Sequence, residues 1–107
     1  MNNITVLVVD DESRMRKLVR DFLTQKGYSV LEAGDGEEAL KVFEENQSQI
    51  NLILLDVMMP KLDGWSVLRQ IRQTSKLPII MLTARRRRTR WIVWIWTRSG
   101  RIYFKTI

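Results

Sequence analysis

The sequence predicts an α/β fold, a parallel sheet covered by helices on both faces. Short β-branched runs alternate with segments whose apolar residues recur at helical spacing. The connections are short, and the first and third apolar runs each end abruptly in carboxylates. Such alternation builds right-handed βαβ units, whose ligands gather at the carboxyl ends of the strands.

Ile4-Thr5-Val6-Leu7-Val8-Val9 is apolar on both faces and stops at Asp10-Asp11-Glu12, the pattern of a buried parallel strand. Ser13 is placed to cap a first helix carrying Met15, Leu18, Val19, Phe22 and Leu23 on one face, with Gly27 as its left-handed stop. Tyr28-Ser29-Val30-Leu31-Glu32 predicts the second strand, Gly34-Asp35-Gly36 a turn, and Ala39, Leu40 and Phe43 the inner stripe of a second helix. Leu52-Ile53-Leu54-Leu55 is a third buried strand and ends at Asp56. Pro60 disfavours helix at Met59, so 59–64 is a loop, followed by a helix with Trp65, Leu68 and Ile71 on one side. Pro78-Ile79-Ile80-Met81-Leu82 supplies a fourth strand ending at Thr83-Ala84.

A chain of 107 residues has room for one domain. It contains no Cys and no His, which excludes disulfides, thiolate metal sites, Cys nucleophiles and imidazole catalysis. The N-terminus lacks a basic, apolar leader and no stretch approaches the roughly 20 apolar residues of a membrane span, so the cytoplasm is expected. The net charge of +6 is unevenly placed. Residues 1–84 carry 10 basic and 12 acidic side chains, whereas 85–107 carry 8 basic ones, no acidic one and three of the four Trp. The chain therefore divides into a domain over 1–84 and a basic, Trp-rich tail over 85–107.

Asp10, Asp11, Asp56 and Thr83 all fall at the carboxyl edge of the expected sheet. Carboxylates ~4 Å apart repel by about 4 kcal/mol per pair at an effective dielectric of 20, so the cluster calls for a cation. With oxygen donors alone, a hard ion such as Mg²⁺ suits it and Zn²⁺ or copper does not. A carboxylate beside Mg²⁺ can attack an activated phosphoryl group and form an acyl phosphate. Asp56, rigid at a strand end yet open at a loop, is the expected nucleophile; Asp10 and Asp11 suit the metal, and Thr83 can donate to a phosphate oxygen. Taken singly, each of these residues is more often a turn former or a cap.

Val8-Val9-Asp10-Asp11-Glu12, Leu54-Leu55-Asp56-Val57-Met58-Met59-Pro60, Asp63-Gly64 and Met81-Leu82-Thr83-Ala84 together resemble the receiver domain of bacterial two-component response regulators. The resemblance covers essentially all of 1–84. It implies a flavodoxin-like sheet of order 2-1-3-4-5 and phosphorylation of Asp56 by a sensor histidine kinase. It also implies Mg²⁺ held by Asp11, Asp56 and the Met58 carbonyl with Asp10 assisting, and Thr83 as the switch hydroxyl. A protein of this kind is a phosphoacceptor rather than an enzyme, limited to self-phosphorylation from a donor and autodephosphorylation. Its output would be contact with a downstream protein, since no DNA-binding domain follows in this chain.

After Arg85 the resemblance breaks. The family continues with a helix, a last strand resembling Gly-Ala-Asp-x-Tyr-Ile-x-Lys-Pro, and a final helix, whereas this chain runs from Arg86 through a Trp-rich stretch and has no final helix. Joining the last two bases of each codon to the first base of the next lets Arg98 through Ile107 spell Gly-Ala-Asp-Glu-Tyr-Ile-Ser-Lys-Pro-Phe. A frameshift near Arg85, with impaired signalling output, is the expectation that follows. In the frame as it stands, Arg101-Ile102-Tyr103-Phe104 offers a short fifth strand, and Lys105, 22 positions after Thr83, stands near the spacing of the family's phosphate-binding Lys. The competing reading of Lys105 is an exposed side chain.

Three rival readings remain at this point. The Arg and Trp residues of the tail could grip nucleic acid or an anionic membrane. A metal-dependent phosphohydrolase would share the nucleophile, but Asp56-Val57-Met58 lacks the acid two positions on. Loss of the last helix could also expose enough apolar surface to spoil folding.

Overall fold

The computed structural model describes residues 3–59, 61–85 and 90–106, with the side chains of 83–85, 90–92 and 104–106 outside the described set. Its elements alternate as expected through the first two thirds. They are β1 (Thr5–Val9), α1 (Ser13–Gln25), β2 (Ser29–Ala33), α2 (Gly36–Glu45), β3 (Ile50–Asp56), α3 (Gly64–Arg72) and β4 (Ile79–Arg85). β5 (Arg90–Trp96) and β6 (Ile102–Thr106) then close the chain. One six-stranded sheet has the order β2-β1-β3-β4-β5-β6. The first four strands of that order are parallel and match the expected 2-1-3-4 arrangement.

The fifth position departs from the expectation. It is filled by β5 running antiparallel to β4, with β6 antiparallel to β5, and no helix follows α3 among the described residues. The cause is chain length: β4 ends at Arg85 and β5 starts at Arg90, whereas a parallel return needs a crossover of roughly a dozen residues. Trp91 through Trp96 are all aromatic or β-branched, a composition that suits a pleated strand. The expected fifth strand at 101–104 exists as β6, but pairs with β5 rather than β4.

The hairpin is packed onto the domain. Trp94 and Trp96 lie half-buried against the core, and Trp94 meets Trp65 of α3 edge to face with ring centroids 5.8 Å apart. The Arg72 guanidinium stacks over Trp96 at 5.5 Å and donates to its carbonyl at 3.4 Å. Aromatic burial of this kind covers apolar surface on the α3 side of the sheet. It also counts against the nucleic-acid reading, because these two rings pack inward; the side chains of Arg85–Arg90 lie outside the described residues.

The main core joins α2 and α3 to one sheet face through Leu7, Val9, Phe43, Ile53, Leu55, Leu68 and Ile71. α1 takes the other face, where Met15 and Val19 border a cleft of about 150 Å³ shared with Val8, Leu54 and Leu82. No residue of α1 is fully buried. Leu18 and Phe22, expected on its inner stripe, are 65% and 59% exposed, since no second helix lies beside α1 among the described residues. The start of α1 also differs: Glu12, not Ser13, occupies the N-cap position, without a side-chain cap bond. Gly27 does adopt the expected left-handed conformation, φ 91°.

Candidate functional site

Parallel β1 and β3 deliver Asp10 and Asp56 to the same edge, because Val9 pairs with Leu55 and each carboxylate comes one residue later. The Asp10 amide donates to the Ala33 carbonyl at 3.1 Å, continuing the β1–β2 ladder one step past the strand. Carboxylate oxygens of Asp10, Asp11 and Asp56 lie within 4.8 Å of one another. Asp10 and Asp56 are half-buried and Asp11 is exposed.

Each half-buried carboxylate holds one local backbone bond. Asp10 accepts from the Glu12 amide at 2.9 Å, and Asp56 accepts from the Met58 amide at 3.1 Å. No ion pair found among the described residues includes Asp10, Asp11 or Asp56. Burial, followed by the charges of Asp10 and Asp11, pushes the Asp56 carboxyl up to about 6, against the pull of the Met58 amide. Burial likewise raises Asp10, and the neighbouring Asp11 and Glu12 charges add to it.

The loop beyond Asp56 is fixed by glycine and by a cap. The Gly64 amide donates to the Val57 carbonyl at 2.9 Å, and a Cβ at Gly64 would overlap the Asp56 carbonyl oxygen. Asp63 caps α3 by accepting from the Ser66 amide at 2.8 Å. Gly36 permits a similarly close approach of α2 to the Leu62 backbone. Met58 is 70% exposed and, with Asp11, Met59, Asp63 and Trp65, borders an open cleft beside the acids.

The other two expected residues stand differently. Thr83 follows Leu82, the β4 partner of Asp56, so its backbone is at the correct edge; its side chain lies outside the described residues. Lys105 pairs with Val93, which pairs with Leu82, which pairs with Asp56. Three strand spacings of ~4.8 Å therefore put its backbone about 14 Å from Asp56, more than a lysine side chain spans. The expectation that Lys105 reaches the phosphate fails on this topology, because β5 is inserted between β4 and β6.

The acid cluster, carried on the strand ends of a 2-1-3-4 parallel sheet, defines an α/β protein with an oxyanion-rich, cation-seeking edge. The chain belongs to the response regulator receiver domain family, which it matches over residues 6–94. It is 57% identical over 79 residues to the probable transcriptional regulator ycf27 of Cyanidium caldarium, covering 74% of this chain and 31% of that protein. The chain spans about a third of the length of the curated relatives it matches. A receiver domain protein from Clostridium thermocellum superposes with a TM-score of 0.73 at 34% identity, covering 78% of this chain and 67% of that one. The response regulator TrrA of Thermotoga maritima, solved in complex with Mg²⁺ and BeF, gives 0.72 at 39% identity over 78% of this chain and 71% of that one. The chain is thus a receiver domain of the kind found in two-component response regulators. No described helix is long and apolar enough to cross a membrane.

Gly64 is the further residue that the structure adds to the site; its local sequence signal is the pair Asp63-Gly64 before a helix.

Proposed function

We propose that this chain is a phosphoacceptor: Asp56 takes a phosphoryl group from the phosphohistidine of a sensor kinase, in the cytoplasm, with Mg²⁺ bound. The observation that carries this reading is the trio of carboxylates within 4.8 Å, with no ion pair to a protein cation found among the described residues. The donor set fits a hard divalent ion, since every side-chain ligand is a carboxylate and two are half-buried. Asp11, Asp56 and the Met58 carbonyl would hold it, with Asp10 assisting. When bound, it supplies charge that offsets the repulsion between carboxylate and phosphoryl group.

An Asp56 carboxylate oxygen bonds to phosphorus as the phosphorus–nitrogen bond breaks, and the imidazole leaves with the electron pair and takes a proton from water. The result is an acyl phosphate on Asp56. Gly64 and the Met58 amide keep the carboxylate aimed outward during this exchange. Thr83 is the hydroxyl that would turn toward the phosphoryl oxygens and bias the β4 end, making the domain a phosphorylation-driven switch rather than a turnover enzyme. With a hairpin where the family has a helix, output to a downstream protein is expected to be impaired.

The test is intact mass spectrometry after incubation with acetyl phosphate, with and without Mg²⁺. A single Mg²⁺-dependent phosphoryl adduct, missing from Asp56→Asn, is the expected result. No adduct on the unmodified chain with Mg²⁺ present would overturn the reading.

A further inference from the structure

We infer that Arg16 is a positioning residue for the metal-binding acids, an inference that rests on the phosphoacceptor reading above. Its guanidinium reaches from α1 over the end of β2 and donates through Nη1 to the Asp10 carbonyl oxygen at 2.7 Å. The same group donates through Nε to Glu32 of β2 at 3.2 Å, and Arg20 holds the other Glu32 oxygen at 3.0 Å. The Arg16 amide donates to the Glu12 carbonyl at 3.0 Å. Arg16 thus binds both ends of the segment that carries Asp10 and Asp11.

The bond to the Asp10 carbonyl matters because that carbonyl belongs to the peptide joining the two acids. Its orientation sets the backbone from which the exposed Asp11 side chain leaves. Glu32 pre-orients the planar guanidinium, so the donor points at the carbonyl before any ion arrives. A Cβ at Gly34 would sit 3.2 Å from the Arg16 guanidinium, so a bare backbone there leaves the arginine its path.

Charge and positioning predict opposite signs, which makes the role testable. A cation beside an acid cluster competes with Mg²⁺, so on charge alone its removal tightens Mg²⁺ binding. Positioning predicts that the same removal weakens it. Mg²⁺ affinity is measured by calorimetry on the full chain, its Arg16→Met, Arg16→Lys and Glu32→Gln variants, and Lys17→Met as a control for loss of an exposed α1 cation. A weakening of roughly 10-fold is expected for Arg16→Met, the size typical of residues that orient metal ligands. Arg16→Lys should recover part of it, Glu32→Gln should fall between, and Lys17→Met should not weaken binding. At saturating Mg²⁺ the Arg16→Met chain should still form the acetyl phosphate adduct, which a misfolded chain would not. Unchanged or tighter Mg²⁺ binding by Arg16→Met overturns the inference. Absence of any Mg²⁺ uptake or adduct by the unmodified chain instead overturns the phosphoacceptor reading beneath it.

Discussion

Replacing Asp56 by Asn should stabilise the metal-free protein at neutral pH while abolishing phosphorylation. The carboxyl rises from 3.8 to about 6 on folding, chiefly through burial and then through Asp10 and Asp11. Between those two values the folded chain keeps a proton that the unfolded chain has released. Stability therefore falls as pH rises from about 4 through about 6, and stays low above. The gap corresponds to about 3 kcal/mol at ~1.4 kcal/mol per pH unit. Asp56 is only half-buried, and water screens such a group, so ~1–1.5 kcal/mol is the figure to expect. Asp10 moves in the same direction and adds to the pH slope. The helix caps Asp35 and Asp63 are lowered instead, mainly by the amides they accept from, so their contribution is lost only below about pH 4. The window from pH 4.5 to 7.5 thus belongs to the acid cluster. Asn is nearly isosteric and still accepts from the Met58 amide, so thermal unfolding at pH 7.5 without metal should occur roughly 4–10 °C higher than in the unmodified chain. At pH 3, below both values, the difference should shrink toward zero. Mg²⁺ at a hundredfold excess over its Kd should add about 2.7 kcal/mol to the unmodified chain and much less to the variant. An Asp56→Asn protein that is less stable at pH 7.5, or whose advantage persists at pH 3, would refute the electrostatic account of the site.

Gly64→Ala should cost about 1–3 kcal/mol in urea unfolding and slow adduct formation, because the new methyl overlaps the Asp56 carbonyl and must displace the reactive strand end. Trp94→Ala should lower stability by about 2 kcal/mol, since it removes a half-buried ring packed on Trp65, and the readout is equilibrium unfolding. An unchanged midpoint would mean that the hairpin is not docked. Sequencing the coding DNA across Arg85 should reveal a shifted frame that spells the family's last strand; no such frame would refute the frameshift origin of the tail.

The parallel half of the fold was legible because its strands are compact apolar runs, the first and third closed by carboxylates, and each helix has its own period. Asp10, Asp11 and Asp56 could be gathered at one edge from that pattern alone, and their oxygens do converge. The tail was legible in composition but not in fate. Its Trp and Ile residues have strand character, yet whether such a segment pairs, packs or remains apart depends on the rings of α3 waiting at Trp65 and on the cation of Arg72. Those partners lie more than twenty positions away, and no spacing rule links them. Arg16 escaped for the same reason: its acceptors belong to the β1–α1 loop and to β2, so its role exists only once α1 is laid across the sheet.

Position in the sheet also separates what the tail can change from what it leaves intact. Asp10, Asp11, Arg16, Asp56 and Gly64 all lie in the first 64 residues, on the β1–α1 loop, α1, β3 and the start of α3. The bonds that shape the acid cluster among the described residues come from this portion, so its chemistry does not require the tail's side chains. β4 is the junction. Its inner neighbour β3 carries Asp56, and its outer neighbour is the antiparallel β5. On the proposed reading, movement of Thr83 toward a phosphoryl group must pull against the β5 pairing that includes Thr83 and Ile92. A rigid hairpin there resists that movement, so phosphorylation of Asp56 and transmission of the signal become separable: adduct formation should survive in this chain while the conformational response beyond β4 is damped.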